Sequence, residues 1–342
     1  MADGGITAKP TTERATLRIL LTLALPVIVS RLCIMIMGVV DTMVVGHFNT
    51  DELASLSLGW AATSPVLVCG IGLLQGVQIL AARYYGSGDL QSAAGVFRQG
   101  IRYGILVGIL FGGIIIAGIG PALNVLNQPP ELRDTAASVA VMLSLSLPLF
   151  MVSTVATFFL EGLGRALPGM VVMIIANVVN LLLNLWLVGG GFGIEPLGAV
   201  GSAMATFGAR IALVAGVLAY IFWGPSARSF GVRIKAKPSG HLAPEMRRIG
   251  YAAGVSQFAE AGAFASMNFI AGWSGALAVA SFAIVLNLSS LAFMIPMGLA
   301  AATSVLTSHA VGAASPKNAM HATWLGLRVT FCACLAIECL VA

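Results

Sequence analysis

The sequence predicts an all-α polytopic membrane protein with about nine transmembrane helices in two parallel repeats, a six-helix lobe and an incomplete second one. Three observations carry this. Of 342 residues, 58% are hydrophobic and only 9% are charged, with a mean hydropathy of +0.96. Soluble domains carry about 25% charged residues, so a soluble enzyme, a nucleic-acid binder and a disordered tail fit poorly. Apolar runs of about 20 residues, the length that crosses about 30 Å of hydrocarbon, recur along the chain. Finally, the chain superposes on itself without a gap after a shift of 226 residues, 25–102 onto 251–328.

The runs lie at 17–46, 54–84, 93–119, 134–161, 167–189, 198–223, 245–272, 279–311 and 319–342. Pro26, Pro65, Pro148 and Pro296 fall inside them and mark kinks, which neighbouring helices make tolerable in a membrane. No segment shows the ten-residue alternation of an outer-membrane strand. The runs divide the chain into an N-terminal tail (1–16), an N-lobe of six helices (17–224), a basic linker (225–244) and a partial C-lobe of three helices (245–342). The first run is too long for a signal-peptide core and reads as a retained helix.

Charge sets orientation. With the N-terminus cytoplasmic, 15 of the 18 lysines and arginines fall on the inside; Arg133 lies outside, and Arg31 and Arg210 lie within helices. This follows the positive-inside rule, and the basic 225–248 stretch becomes a solvated loop beside anionic lipid rather than a nucleic-acid arm. Cys33, Cys69, Cys332, Cys334 and Cys339 all lie in apolar runs and read as small packing residues. His47, His241, His309 and His321 have no i, i+4 pairing, so no metal site is expected. There is no Walker A loop to bind ATP.

The repeat pairs Gly72 with Gly298, Gly86 with Gly312 and Arg102 with Arg328. Parallel repeats around a central site are a transporter architecture. The second repeat stops after three helices, so the sequence reads as lacking about 110 residues if the lobes are equal. A genuine nine-helix protein is the alternative.

Ionisable residues inside spans cost a few kcal/mol and are functional candidates by default. Asp41 lies five residues before the outer end of helix 1, and Glu260 lies near mid-membrane in helix 7. Asn180 and Asn184 share a face of helix 5, and Thr206 lies about eight residues from the outer end of helix 6. Asp41, Asn184 and Thr206 thus share a layer, with Asn180 a turn deeper. Such oxygen donors suit a hard monovalent cation or a proton, although asparagines and threonines also simply tie helices together. Na+ is possible at Asp41 or Glu260. Glu161 and Arg165, four apart at an inner helix end, read as a structural pair. Met35, Met37, Met43, Phe264 and Phe269 could line a greasy pocket, but core packing is the simpler reading.

Several motifs in order resemble the multidrug and toxic compound extrusion (MATE) transporters, closest to their NorM-type branch. They are Leu25-Pro26-Val27 with Gly38-Val39-Val40-Asp41-Thr42, Glu161-Gly162-Leu163-Gly164-Arg165, Asn180-Leu181-Leu182-Leu183-Asn184, Gly198-Ala199-Val200-Gly201 with Ala205-Thr206, and Leu286-Asn287-Leu288-Ser289-Ser290 through Met297. The resemblance covers about 15–342. It implies twelve helices in two lobes and exchange of Na+ or H+ for hydrophobic, often cationic drugs. The family's N-lobe acid falls on Asp41, its polar companions on Asn180, Asn184 and Thr206, and its helix-7 glutamate on Glu260. One companion that is acidic in some members is Asn184 here, and a helix-10 aspartate used by NorM-type members lies beyond residue 342.

The expectation is therefore a monomeric multidrug antiporter, not an enzyme, in the bacterial inner membrane. It would need no cofactor beyond the coupling ion and no nucleic acid, with small-molecule drugs as substrates and lipid as its surroundings. Two rivals remain: a lipid-linked precursor flippase, whose cavity should carry arginines, and a non-transporting fragment.

Overall fold

The structure, a computed structural model, describes residues 15–125, 130–191, 193, 195–225, 227–232, 241–273 and 276–341. Among these, ten α-helices form and no strand does: α1 (Leu17–Phe48), α2 (Thr50–Gly86), α3 (Leu90–Val125), α4 (Pro130–Leu145), α5 (Leu147–Gly162), α6 (Ala166–Leu187), α7 (Gly198–Trp223), α8 (Leu242–Trp273), α9 (Ala276–Gly312) and α10 (Pro316–Val341).

The boundaries have local causes. The Thr16 hydroxyl accepts from Ile19 N at 3.4 Å and opens α1. One extended residue, Asn49, separates α1 from α2; its N–H closes the first and its Oδ1 accepts from Asp51 N at 2.7 Å to open the second. α4 and α5 make one span broken at Ser146. Pro148 has no N–H to give the carbonyl four residues back, and the Ser146 N–H instead divides between Met142 O and Leu143 O at 3.3 and 3.2 Å.

Eight spans among the described residues are long and apolar enough to cross a membrane, α4 and α5 counting together. The expected ninth, α8, has the length at 32 residues, but Glu245, Arg247, Arg248 and Glu260 dilute it. Leu106, Ile109, Leu110 and Ile114 along α3 and Leu182 and Leu185 on α6 stay exposed, giving these helices lipid-facing surfaces.

The repeat is visible to the residue. Subtracting 226 from the bounds of α9 (276–312) returns 50–86, the bounds of α2. The contacts repeat as well. A Cβ on Gly72 would lie 2.6 Å from Gly254 Cα of α8, and one on Gly298 would strike Ile28 of α1, where residue 28 is the counterpart of 254. Gly86 sits against the backbone of His309, and Gly312 against that of Arg83, again a counterpart pair. A pseudo-twofold therefore relates the first helices of each repeat.

These contacts lie in the half of the bundle where α1 begins and α2 ends, the basic end. Arg83 and Glu245 add an exposed ion pair there at 3.0 Å, a minor contribution given its exposure. Beyond Gly254, α8 is exposed on nearly all sides through Phe264, and α1 exposes Ile36, Val39 and Met43. The repeats thus meet at the basic end and part toward the other. Met43 and Phe264, read from sequence as core, are exposed because they lie beyond that divergence; the Phe269 side chain lies outside the described residues.

The turn after α2 places Gly88 at φ 78°, with Asp89 N bonded to Tyr84 O at 2.9 Å. Its counterpart after α9 has the same bonds but puts Ala314 at φ 51°. A left-handed Ala costs about 1–2 kcal/mol that glycine avoids, partly offset by glycine's freer unfolded chain. Ala314→Gly is therefore expected to stabilise the protein by about 1 kcal/mol, read as a raised melting temperature in detergent.

Candidate functional site

Three helices converge on Asp41, which is 1% exposed. From α6, Asn184 Nδ2 donates to Asp41 Oδ1 at 2.8 Å and Asn180 Nδ2 donates to the same oxygen at 3.1 Å. From α7, the Thr206 hydroxyl donates to Oδ2 at 2.8 Å. Asn180 and Asn184 are fully buried, and the polar layer read from depth is one hydrogen-bonded cluster. It holds a carboxylate far from bulk water by surrounding it with donors, the condition under which a buried charge is tolerable.

The cluster is not saturated. Asn180 Oδ1, Asn184 Oδ1 and, one turn from Thr206 on α7, Ser202 Oγ are buried without hydrogen-bond partners. Unpaired buried acceptors are rare and costly. Two of them, the amide oxygens, belong to the asparagines that bond the Asp41 carboxylate, and with it they make a set of oxygen donors of the kind a small hard cation takes.

Sequence reasoning missed part of this site. Arg210, one turn beyond Thr206, is 4% exposed and near enough for its charge to act on Asp41. Its Nη1 donates to Ser146 Oγ and to Leu143 O, the latter at 3.3 Å, at the α4–α5 break, and its guanidinium lies 4.9 Å from the Phe150 ring centre. Ser202, Thr206 and Arg210 are spaced i, i+4, i+8, a stripe that was readable from sequence. Glu52 was also missed. Its carboxylate accepts from Ala199 N at 2.7 Å and caps the α7 N-terminus, where Gly198 at φ 51° leaves room for it.

Glu260 stays apart. It is exposed on α8 and has no hydrogen-bond or ionic partner among the described residues. The expected Glu161–Arg165 pair does not form. The helix ends between them, and the turn at Gly164 (φ 73°) swings Arg165 over the Phe230 ring at 5.3 Å. Glu161 instead accepts from Gln78 Nε2 at 2.6 Å and faces Arg31 at 3.9 Å, so Arg31 finds its carboxylate across helices.

The family model described as MatE matches residues 26–186 and 252–342. The chain belongs to the MATE family. Over 312 residues it is 43% identical to a probable multidrug resistance protein NorM of Caulobacter vibrioides, covering 91% of this chain and 66% of that one. With a probable NorM of Pseudomonas putida the identity is 30%, covering 93% of this chain and 68% of the relative. The chain thus spans about two thirds of the length of the curated relatives it matches. Among solved structures, a MATE in the bent conformation superposes with a TM-score of 0.85 at 21% identity over 94% of this chain and 71% of that one. The eukaryotic MATE transporter AtDTX14 gives 0.81 at 21% identity over 91% and 69%. These likenesses extend the MATE fold across both repeats.

Proposed function

We propose that this MATE chain serves secondary active multidrug efflux, exchanging hydrophobic or cationic drugs for Na+ or H+ across the inner membrane with its N-terminus cytoplasmic. The observation that carries the reading is Asp41, a buried carboxylate inside a span, ringed by donors and by unpartnered amide oxygens. A cation there would take the Asp41 carboxylate, the Asn180 and Asn184 amide oxygens after rotation of their side chains, and the Thr206 hydroxyl. A proton would need only Asp41 and one amide oxygen to receive the new O–H. Glu260 is the proposed partner acid in the second repeat.

Residues 17–224 act as one lobe and 245–342 as part of the other, joined by the basic linker. The chain rocks between a state closed at the basic end, as here, and one open there. A coupling cation shifts that balance only through different affinity for the two states. Arg210 and Arg31 are already engaged with protein groups, which leaves neither to hold a lipid phosphate and disfavours the flippase reading. Proteoliposomes containing the chain should expel a cationic dye when an inward Na+ or H+ gradient is imposed and should stop when it is collapsed. Dye flux indifferent to both gradients, or displaced by lipid-linked precursor, would defeat the reading.

A further inference from the structure

Asp41 and Glu161 are the only buried carboxylates among the described residues, and only the first is absorbed by the site above. Glu161 closes α5 at the basic end and is 2% exposed. On α1, Arg31 stands ten residues from Asp41, about 15 Å along the helix, so Glu161 and Asp41 occupy different depths. Two cavities meet at Arg31 and Phe158. One, of about 20 Å³, runs inside the first six spans past Ser30, Ser153 and Thr154 to Glu161. The other, of about 140 Å³, lies between the repeats and is lined by Gln75 and Gln78 of α2, Gln257 of α8 and Ser304 of α9. By size the first holds about one water and the second several, and both have polar walls to bind them.

The charged and titratable groups around Glu161 are few. Arg31 of α1 forms an ion pair with it at 3.9 Å, and Gln78 of α2 is the closer partner, donating at 2.6 Å. His309 of α9 bonds Gly162 O at 2.7 Å, not the carboxylate, and Arg165 is turned onto Phe230. Arg98 of α3 donates to Val232 O at 3.3 Å. Arg210 of α7 is bound at the α4–α5 break.

We propose that Glu161 is a second proton-exchanging station of this chain, on the basic side of Asp41, opening to the water-sized cavity inside the first six spans and, past Arg31 and Phe158, to the larger cavity between the repeats. The proposal rests on the antiport reading above. When the repeats part at the basic end, the Glu161 O–H bond breaks and the proton passes to a cavity water, then onward to bulk. The electron pair stays on the carboxylate, whose charge Arg31 balances. Before that step the protonated acid keeps Gln78 as a donor on its other lone pairs.

The full chain in lipid, compared with D41N, E161Q and R31Q/E161Q, tests this by pH-difference infrared spectroscopy and by gradient-driven dye flux. Glu161→Gln keeps the shape and an acceptor for Gln78. It is expected to remove one pH-dependent carbonyl band of a buried carboxylic acid, distinct from any band lost in D41N. Flux should fall by about a hundredfold, as loss of a positioned proton-transferring group does, and the double variant should not restore it. A spectrum unchanged by E161Q would overturn the proposal without any reference to transport. Recovery of flux in R31Q/E161Q would overturn it too, because a merely structural ion pair is repaired by removing both charges. If D41N leaves spectrum and flux intact while E161Q does not, the Asp41 reading fails and the Glu161 station stands.

Discussion

Asp41→Asn is expected to bring ion-driven dye efflux to background while the protein remains in the membrane at its normal level. The substitution keeps the size of the side chain and removes its charge. Asn180, Asn184 and Thr206 all donate to Asp41 now, at 3.1, 2.8 and 2.8 Å. Hydrogen bonds to a charged group contribute about 1.5–3 kcal/mol each, so a site that holds its ion through this carboxylate loses two or more decades of affinity. Folding should not suffer in step. Removing a buried charge also removes its desolvation cost, which offsets the loss of charge-assisted hydrogen bonds, so the variant should still be recovered folded in detergent. Glu260→Gln is expected to abolish coupling as well, with a smaller effect on melting because Glu260 is exposed and makes no hydrogen bond or ion pair among the described residues. Normal efflux from both variants would sink the assignment. A D41N protein that disappears from the membrane would show instead that the cluster is structural glue.

The sequence carried the spans and the polar layer because both follow from one-dimensional quantities: hydropathy over a bilayer's thickness and distance from a helix end. Asp41, Asn184 and Thr206 met because residues at one depth in neighbouring spans must lie near one another. What failed was local. The i, i+4 rule joins Glu161 to Arg165 only if the helix continues, and Gly164 ends it. Met43 and Phe264 read as core because apolar periodicity does not tell where two repeats part. Arg210 has no role legible in the sequence because its partners, Leu143 O and Ser146, come within reach only where Pro148 breaks the span. The unpaired oxygens of Asn180 and Asn184 depend on side-chain rotation, which no spacing encodes.

The second large effect is expected at the crossing of α2 and α9. The Gly86/Gly312 match was legible as a repeated turn, but its purpose is a backbone-to-backbone contact. Gly312 rests on the Arg83 carbonyl and Gly86 on the His309 backbone, so neither has space for one more carbon. Ala at either position must push the helices apart at the basic end, where the repeats meet. Overpacking of this kind costs about 1–3 kcal/mol, and backbone cannot yield as a side-chain tip can. Gly312→Ala should therefore lower the melting temperature and slow efflux, and Gly86→Ala should match it because the pseudo-twofold makes the sites equivalent. Gly118 of α3 supplies the control, since nothing lies within 4 Å of where its Cβ would be. There alanine should be neutral or stabilising by up to about 1 kcal/mol through helix propensity alone. The closed crossing predicts a difference between the two kinds of site of about 1–4 kcal/mol. Equal melting temperatures for the Gly312, Gly86 and Gly118 variants would mean the basic end is not held shut by this contact. The state closed at that end would then need another source of stability.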